Sequence, residues 1–238
     1  MGFLNKFLGN KKESKEVTDY KTTVAEALNQ YHSLMASESK VTQDFFDKIL
    51  GVGEQSLHGV LFLTPENFGF KKTLTKEEVD FWFRRVSLAL VAYSYCFFYV
   101  EEQSPSAQSS FVTFWQKMLD SYNKIFNENA TIDAVNHYAA GMIEGGEKKK
   151  SKSYNEEETL RLMMKDYTTL ATELLEGIWH ENISQKALDD LENYKPGQNM
   201  GALDLQAQKI GLLGSGIWET HLDIVKPFLP KLLTDYQI

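Results

Sequence analysis

The sequence predicts an all-α fold, a bundle of about nine or ten helices around one buried central helix at 75–100. Apolar side chains recur along most of the chain with the i, i+3, i+4, i+7 spacing that places them on one face of a helix. No short run alternates apolar and polar residues between turn signals, as a half-buried strand would. Apolar residues make up 42% of the 238 residues and aromatic residues 13%, which is enough to fill a helical core.

The apolar stripe is clearest in two segments, 106–127 and 156–179. Asn155 is expected to cap the second helix, whose first turn carries three glutamates that suit the positive end of the helix dipole. The central helix begins with Thr75, followed three residues later by Glu78, which is the pattern of a capping box. Weaker patterns predict further helices at 17–36, 41–50, 131–143, 184–194, 201–213 and 216–226.

The chain is expected to consist of an amphipathic N-terminal arm and hinge at 1–15 and a helical domain at 16–238. Within this domain, 144–154 is glycine- and lysine-rich, and Gly145 and Gly146 are expected to end a helix there. We interpret 144–154 as an exposed loop within one body, and a joint between two helical subdomains is the alternative.

A second irregular region is predicted between the helix at 41–50 and the central helix. Gly59–Leu63 is the best candidate for a short extended piece, although a helical turn fits it equally well. The following segment, 64–72, contains Pro65 and Gly69 and is expected to be a loop.

Charge and cysteine content exclude several classes of protein. The net charge of −8 disfavours a nucleic-acid-binding protein, which needs a basic face. The single cysteine, Cys96, forms no intrachain disulfide and lies among aromatic residues, as a core residue would. The first residues lack the pattern of a secretory signal, so the cytoplasm is the expected location. Val86–Val100 is uncharged, but a membrane span takes roughly 20 residues.

Two adjacent arginines, Arg84 and Arg85, interrupt the most apolar part of the chain. Only three of the 25 basic residues are arginine, and two of these three lie in this apolar stretch, where water is expected to be scarce. Arginine is better suited than lysine to a fixed, partly buried ion pair. We expect both to form buried ion pairs with carboxylates of other helices. A clamp for an anionic ligand in an interior pocket is the alternative.

No residues with the spacing of a catalytic motif are present, and neither a metal nor another cofactor is expected. The weak candidates for a metal site are Asp133 with His137 and Glu176 with His180, which share one face of a helix at i, i+4 spacing. His221 lies between two further carboxylates at this spacing, but on another face.

The N-terminal arm is the best candidate for contact with another molecule. Its apolar residues fall within one arc of a helical wheel, and lysines follow them, as in short amphipathic elements that touch membranes or partner grooves. Folding back onto the protein is the alternative. The candidate contact residues are Phe3, Leu4, Phe7, Leu8, Lys11 and Lys12.

One short sequence occurs twice. Gly177-Ile178-Trp179 recurs as Gly216-Ile217-Trp218, 39 residues later, and two copies do not make a repeat array. The second copy follows Gly211 and Gly214, which are expected to mark a helix break or a close contact between helices.

Together these features favour a non-enzymatic helical interaction or adaptor protein that binds another protein through apolar and aromatic surface. A protein partner is expected, weak peripheral contact with a membrane is an option, and oligomeric state is left open. The alternative is a helical enzyme or ligand-binding protein with an interior pocket for a metal, an anion or an apolar ligand. An exposed apolar patch would favour the first, and a cavity with convergent polar groups the second.

Overall fold

A computed structural model describes residues 15–62, 74–101, 105–149, 155–180, 182–194 and 198–228. These ranges form an all-α multi-helix bundle and contain no strand, which confirms the predicted fold class. The α-helices are α1 (Lys15–Met35), α2 (Lys40–Phe62), α3 (Lys76–Glu101), α4 (Pro105–Phe126), α5 (Ile132–Tyr138), α6 (Ala140–Lys149), α7 (Glu156–Trp179), α8 (Gln185–Glu192) and α9 (Leu205–Val225). Two 3₁₀ turns, Met200–Ala202 and Lys226–Phe228, flank α9.

Two of the predicted helix caps are formed. The Glu78 amide donates to Thr75 Oγ1 at 3.2 Å, and the Thr75 amide donates to Glu78 Oε2 at 2.9 Å, so a capping box starts α3. At the start of α7, the Glu158 amide donates to Asn155 Oδ1 at 3.1 Å. Both caps depend on neighbours three residues apart, which is why the sequence alone predicts them.

Aromatic side chains fill the part of the core where α1, α2, α3 and α4 meet. The Phe126 ring centroid lies 4.7 Å from that of Tyr31 and 4.7 Å from that of Tyr122, and Phe46 and Phe83 complete the cluster. All five are fully buried, and each contributes on the order of 1.5–3 kcal/mol by leaving water. Helix α3 also packs against α5, α6 and α7. Among the described helices, α3 included, none is both long enough and apolar enough to cross a bilayer.

The predicted end of a helix at residue 50 is wrong, because α2 continues to Phe62. Residues 59–62 are therefore helical, which is the second of the two interpretations of 59–63, and residue 63 lies outside the described residues. Gly51 and Gly53 lie inside this helix, and a glycine costs a helix only about 1 kcal/mol. The buried face of α2, which packs on α3 and α9, outweighs that cost. At Gly53 the Phe83 ring lies 3.6 Å from where a Cβ would stand.

The two helices predicted at 201–213 and 216–226 are one helix, α9. Its glycines allow neighbouring groups to approach and do not break the helix. A Cβ on Gly214 would lie 3.2 Å from the Thr168 backbone nitrogen of α7, and one on Gly211 would lie 2.7 Å from Met200 Cε. The close-contact interpretation of these glycines is therefore correct for Gly211 and Gly214.

The structure also differs from the prediction at 131–154, where one helix followed by an exposed loop was expected. Two helices, α5 and α6, replace the predicted helix at 131–143, and α6 continues to Lys149, past Gly145 and Gly146. Both glycines are buried, because α6 packs along α7 and α3. The Lys148 ammonium lies 2.5 Å from Glu158 Oε1, which joins the end of α6 to the start of α7. The exposed loop expected at 144–154 is thus helical at 144–149, and 150–154 lie outside the described residues.

Candidate functional site

The adjacent arginines sit on the outward face of α3, and both pair with carboxylates. Arg84 contacts Asp80 one turn earlier in α3, and its Nη1 lies 3.2 Å from Glu128 Oε1 in the segment between α4 and α5. Arg85 Nε lies 3.2 Å from Glu173 Oε2 of α7. The side chains are 33% and 40% exposed, so these pairs are only partly buried. Because their partners lie on different elements, the two guanidinium groups do not converge on one anion pocket.

A small cavity of about 180 Å³ opens beside Arg85, where α3, α5, α6 and α7 meet. Three carboxylates line it, from Glu144 of α6 and from Asp166 and Glu173 of α7. Tyr138, at the end of α5, lines it as well, and the Arg85 guanidinium carbon lies 5.3 Å from the centre of its ring. Several titratable side chains of the described structure therefore face this common space.

Asp166 is the most buried carboxylate of the cavity, at 5% exposure. Its Oδ1 accepts the Gly141 N–H at 2.9 Å and its Oδ2 accepts the Met142 N–H at 2.8 Å, so it caps the N-terminus of α6 from α7. Burial raises the pKa of this carboxyl to about 6, against the opposing effect of the two amide donors. A Cβ on Gly141 would lie 2.3 Å from the Leu162 carbonyl oxygen, so glycine is required for this approach.

A second polar cluster, around His221 of α9, is closed off in the core. Tyr167 Oη lies 2.6 Å from His221 Nδ1, Ser94 Oγ lies 2.9 Å from Nε2, and Ser94 Oγ donates to the Leu90 carbonyl at 2.8 Å. Since the Ser94 proton is used by Leu90, Nε2 must carry a proton and Nδ1 must accept from Tyr167. Burial lowers the pKa of His221 to about 3, so the ring is neutral.

This cluster resembles a nucleophile with its base, but its geometry is unsuited to that chemistry. His221 donates to Ser94 and therefore does not withdraw its proton, and the two residues are 1% and 0% exposed. Cys96 is similarly enclosed, and burial raises the pKa of its thiol well above the usual value. Ser94 and His221 are therefore core residues with hydrogen-bond partners, and Cys96 is a core residue in apolar surroundings.

The weak metal candidates do not come together. Asp133, His137, Glu176 and His180 are all exposed, and His180 ends α7 with a φ of 54° in the left-handed region. Of the four, His137 alone lines the cavity beside Asp166. Within the described ranges, no group of three or more His, Cys, Asp or Glu side chains is arranged to hold a metal ion.

The contact residues proposed in the N-terminal arm, Phe3, Leu4, Phe7, Leu8, Lys11 and Lys12, lie outside the described residues, and α1 begins at Lys15. Other apolar side chains are exposed on the described helices. They are spread over seven helices and are Leu34, Phe81, Val112, Ile132, Leu160, Leu188, Leu205 and Leu212.

Phe81 differs from the other exposed apolar residues in its neighbours. Phe81 is 54% exposed, and its ring packs edge-on against Trp82, with centroids 5.1 Å apart. Arg84 and Arg85 follow it by three and four residues on α3, a spacing that makes them its neighbours on the helix surface. The outward face of α3 therefore joins an exposed aromatic ring to two guanidinium groups.

Comparison of the chain with protein-family models, curated proteins and solved structures finds no match. Function therefore has to be inferred from the geometry of the described residues.

Proposed function

We propose that this protein is a non-enzymatic helical interaction protein that docks another protein on the outward face of α3. The observation that carries this proposal is the half-exposed Phe81 ring beside Arg84 and Arg85. Aromatic residues and arginine are enriched at the energetic centres of protein interfaces. The ion pairs of both arginines hold their side chains in place, so binding would cost little of their conformational freedom.

The use of the reactive side chains supports a binding role over a catalytic one. Ser94 and His221 are sealed in the core, Cys96 is buried, and both carboxylate oxygens of Asp166 accept amide protons. A catalytic nucleophile or base needs access to substrate. Ser94, His221 and Cys96 have none, and Asp166 lines the cavity but has both carboxylate oxygens held by amides of α6.

The proposed partner carries an apolar pocket that accepts the Phe81 ring. A nucleic-acid partner is disfavoured by the net charge of −8.

We also propose a cytoplasmic location, since a chain with one cysteine suits a reducing compartment. The N-terminal arm is proposed as an additional contact with a partner or a membrane surface, and removing residues 1–12 is expected to weaken that association while leaving the thermal midpoint nearly unchanged.

Site-specific crosslinking tests the α3 surface. A photoreactive phenylalanine analogue replaces Phe81 in the full chain, and crosslinked proteins from the native host are identified by mass spectrometry. Leu205 of α9, 64% exposed, is the matched control position on another helix. We expect a partner that crosslinks from position 81 and not from position 205.

The captured partner is then purified and its affinity measured with wild type and with Phe81→Ser. Loss of a central aromatic contact typically costs about 2 kcal/mol or more, so the dissociation constant should rise by at least about 30-fold. Leu205→Ser should bind like wild type. Equal affinity of Phe81→Ser and wild type, with both proteins folded, would refute the proposal.

A further inference from the structure

The outward face of α9 carries a continuous stripe of side chains that can be reached from outside the protein. Leu205, Lys209, Leu212, Gly216 and Glu219 follow one another at spacings that alternate between four and three residues. This alternation places them on one side of the helix and is the spacing along the contact face of a coiled coil. None of the five is buried, whereas the opposite side of α9 packs on α2 and α7.

Gly216 on this stripe is not explained by the packing of the described residues. Glycine weakens the interior of a helix, yet a Cβ at this position would have no neighbour within 4 Å in the part of the chain that the structure describes. By contrast, Gly214 of the same helix admits the close approach of Thr168 of α7. One turn before Gly216 lies Leu212, which is 36% exposed. An open gap and an exposed apolar side chain therefore lie next to each other.

The charges of the stripe are complementary to those of a second, antiparallel copy. Lys209 and Glu219 each lie five residues, or about 7.5 Å along the helix axis, from the midpoint between Leu212 and Gly216, on opposite sides of it. When two such helices lie antiparallel across this midpoint, Leu212 of each copy faces Gly216 of the other. Lys209 of each copy then faces Glu219 of the other. This reciprocity is what a two-fold interface requires.

We propose that two copies of this chain associate through the outward faces of their α9 helices, antiparallel, around a two-fold axis between Leu212 and Gly216. A second copy is favoured over a different protein because a single pairing places the apolar side chain in the gap and brings opposite charges together twice. Leu205 and Asp223 fall opposite each other at the two ends of the contact, where both are exposed to water.

The proposed contact is small and separate from the docking surface around Phe81 of α3. One pair of helices buries less surface than most stable dimers do, so the association is weak and depends on protein concentration. Neither proposal depends on the other. Crosslinking from position 205 is expected to capture a second copy of this chain, whose peptides distinguish it from the partner captured at position 81.

Sedimentation velocity of the full chain over a range of micromolar concentrations tests the association. We expect the sedimentation coefficient to rise with concentration toward that of a dimer. Leu212→Ser should raise the dissociation constant of the dimer by roughly tenfold or more, because it removes the apolar side chain at the centre of the contact. Leu188→Ser is the matched control, since Leu188 is 38% exposed but lies on α8, and this variant should dimerise like wild type.

Reversal of the charges tests the pairing of residues across the dimer. Lys209→Glu alone and Glu219→Lys alone each place like charges opposite one another twice, so each should raise the dissociation constant by roughly tenfold or more. The double variant restores opposite charges and should dimerise about as well as wild type. Circular dichroism and urea unfolding show whether each variant is folded.

Several results would overturn the proposal. One is a chain that stays monomeric at every concentration, and another is an equal effect of Leu212→Ser and Leu188→Ser. The proposal is also wrong if the single charge reversals leave the dimer unchanged, or if the double variant associates as weakly as the single ones.

Discussion

The repeated Gly-Ile-Trp sequence gives a sharp test of the packing. Gly177 and Gly216 both lie inside helices, α7 and α9, and both are followed by the same two residues. A Cβ on Gly177 would lie 2.0 Å from Trp82 Cζ2, whereas a Cβ on Gly216 would have no neighbour within 4 Å. We therefore expect Gly177→Ala to destabilise the protein and Gly216→Ala to stabilise it.

The two substitutions share one energy term and differ in another. Replacing glycine by alanine inside a helix gains about 1 kcal/mol at either position. At Gly177 the ring of Trp82 must also move by more than 1 Å, and it is 8% exposed and packed against Phe81. Overpacking of this kind costs about 1–3 kcal/mol. Because the helix term cancels, the free energies of unfolding of the two variants should differ by about 1–3 kcal/mol.

Urea denaturation measured by circular dichroism gives this difference directly, provided that the m-values agree. A smaller side chain at position 82 supplies a second check. In the Gly177→Ala background, Trp82→Leu should cost less stability than it does in wild type, because it relieves the clash. Equal stabilisation by both glycine substitutions would show that Trp82 does not pack on Gly177, and the contact between α3 and α7 would then be incorrectly described.

Three further outcomes are expected. Arg84→Ala and Arg85→Ala should each lower the urea midpoint and reduce the free energy of unfolding by about 1 kcal/mol or less, because the ion pairs are partly exposed. Unchanged midpoints would contradict the pairing. Burial lowers the pKa of His221 from 6.5 to about 3, so the unfolded chain binds a proton at this residue more readily than the folded protein does. The contribution of the neutral ring to the free energy of unfolding is therefore complete above pH 6.5 and is lost as the pH falls toward 3. Between pH 6.5 and 3, the free energy of unfolding of the wild type should fall, relative to that of His221→Phe, by up to about 1.4 kcal/mol per pH unit. The raised pKa of Asp166 gives the opposite pH dependence below about pH 6, but both proteins contain Asp166, so its effect cancels in the difference. Cys96 should react with a thiol reagent only as fast as the protein unfolds, and rapid modification of the native protein would show that it is accessible.

Local patterns in the sequence predicted much of the helical structure, and long-range packing decided the rest. The caps at Thr75 and Asn155 were predictable because their partners are three residues away. The glycines at 145 and 146 were expected to end a helix, but contacts with α7 and α3 keep them inside α6. Propensity is a weak signal where tertiary burial competes with it, and glycine positions are where the prediction failed.

The polar residues of the site were harder to predict. Asp166 caps a helix whose N-terminus is 25 residues earlier in the chain, and no local pattern indicates such a contact. His221 could have been found, since Ile210, Gly214 and Ile217 precede it on the same buried stripe of α9.

The hydrogen bonds around His221 run in one direction through three helices, from Tyr167 of α7 through α9 to Ser94 of α3. Close packing, as at Gly214 against Thr168, already restricts how the helices can slide, but apolar contacts form no directional bonds. A slide of one turn, about 5.4 Å, would leave the imidazole and both hydroxyls unpaired in the core. The three side chains thus favour one position of α3, α7 and α9 along their axes over those shifted by a turn. Their contribution is to the uniqueness of the fold.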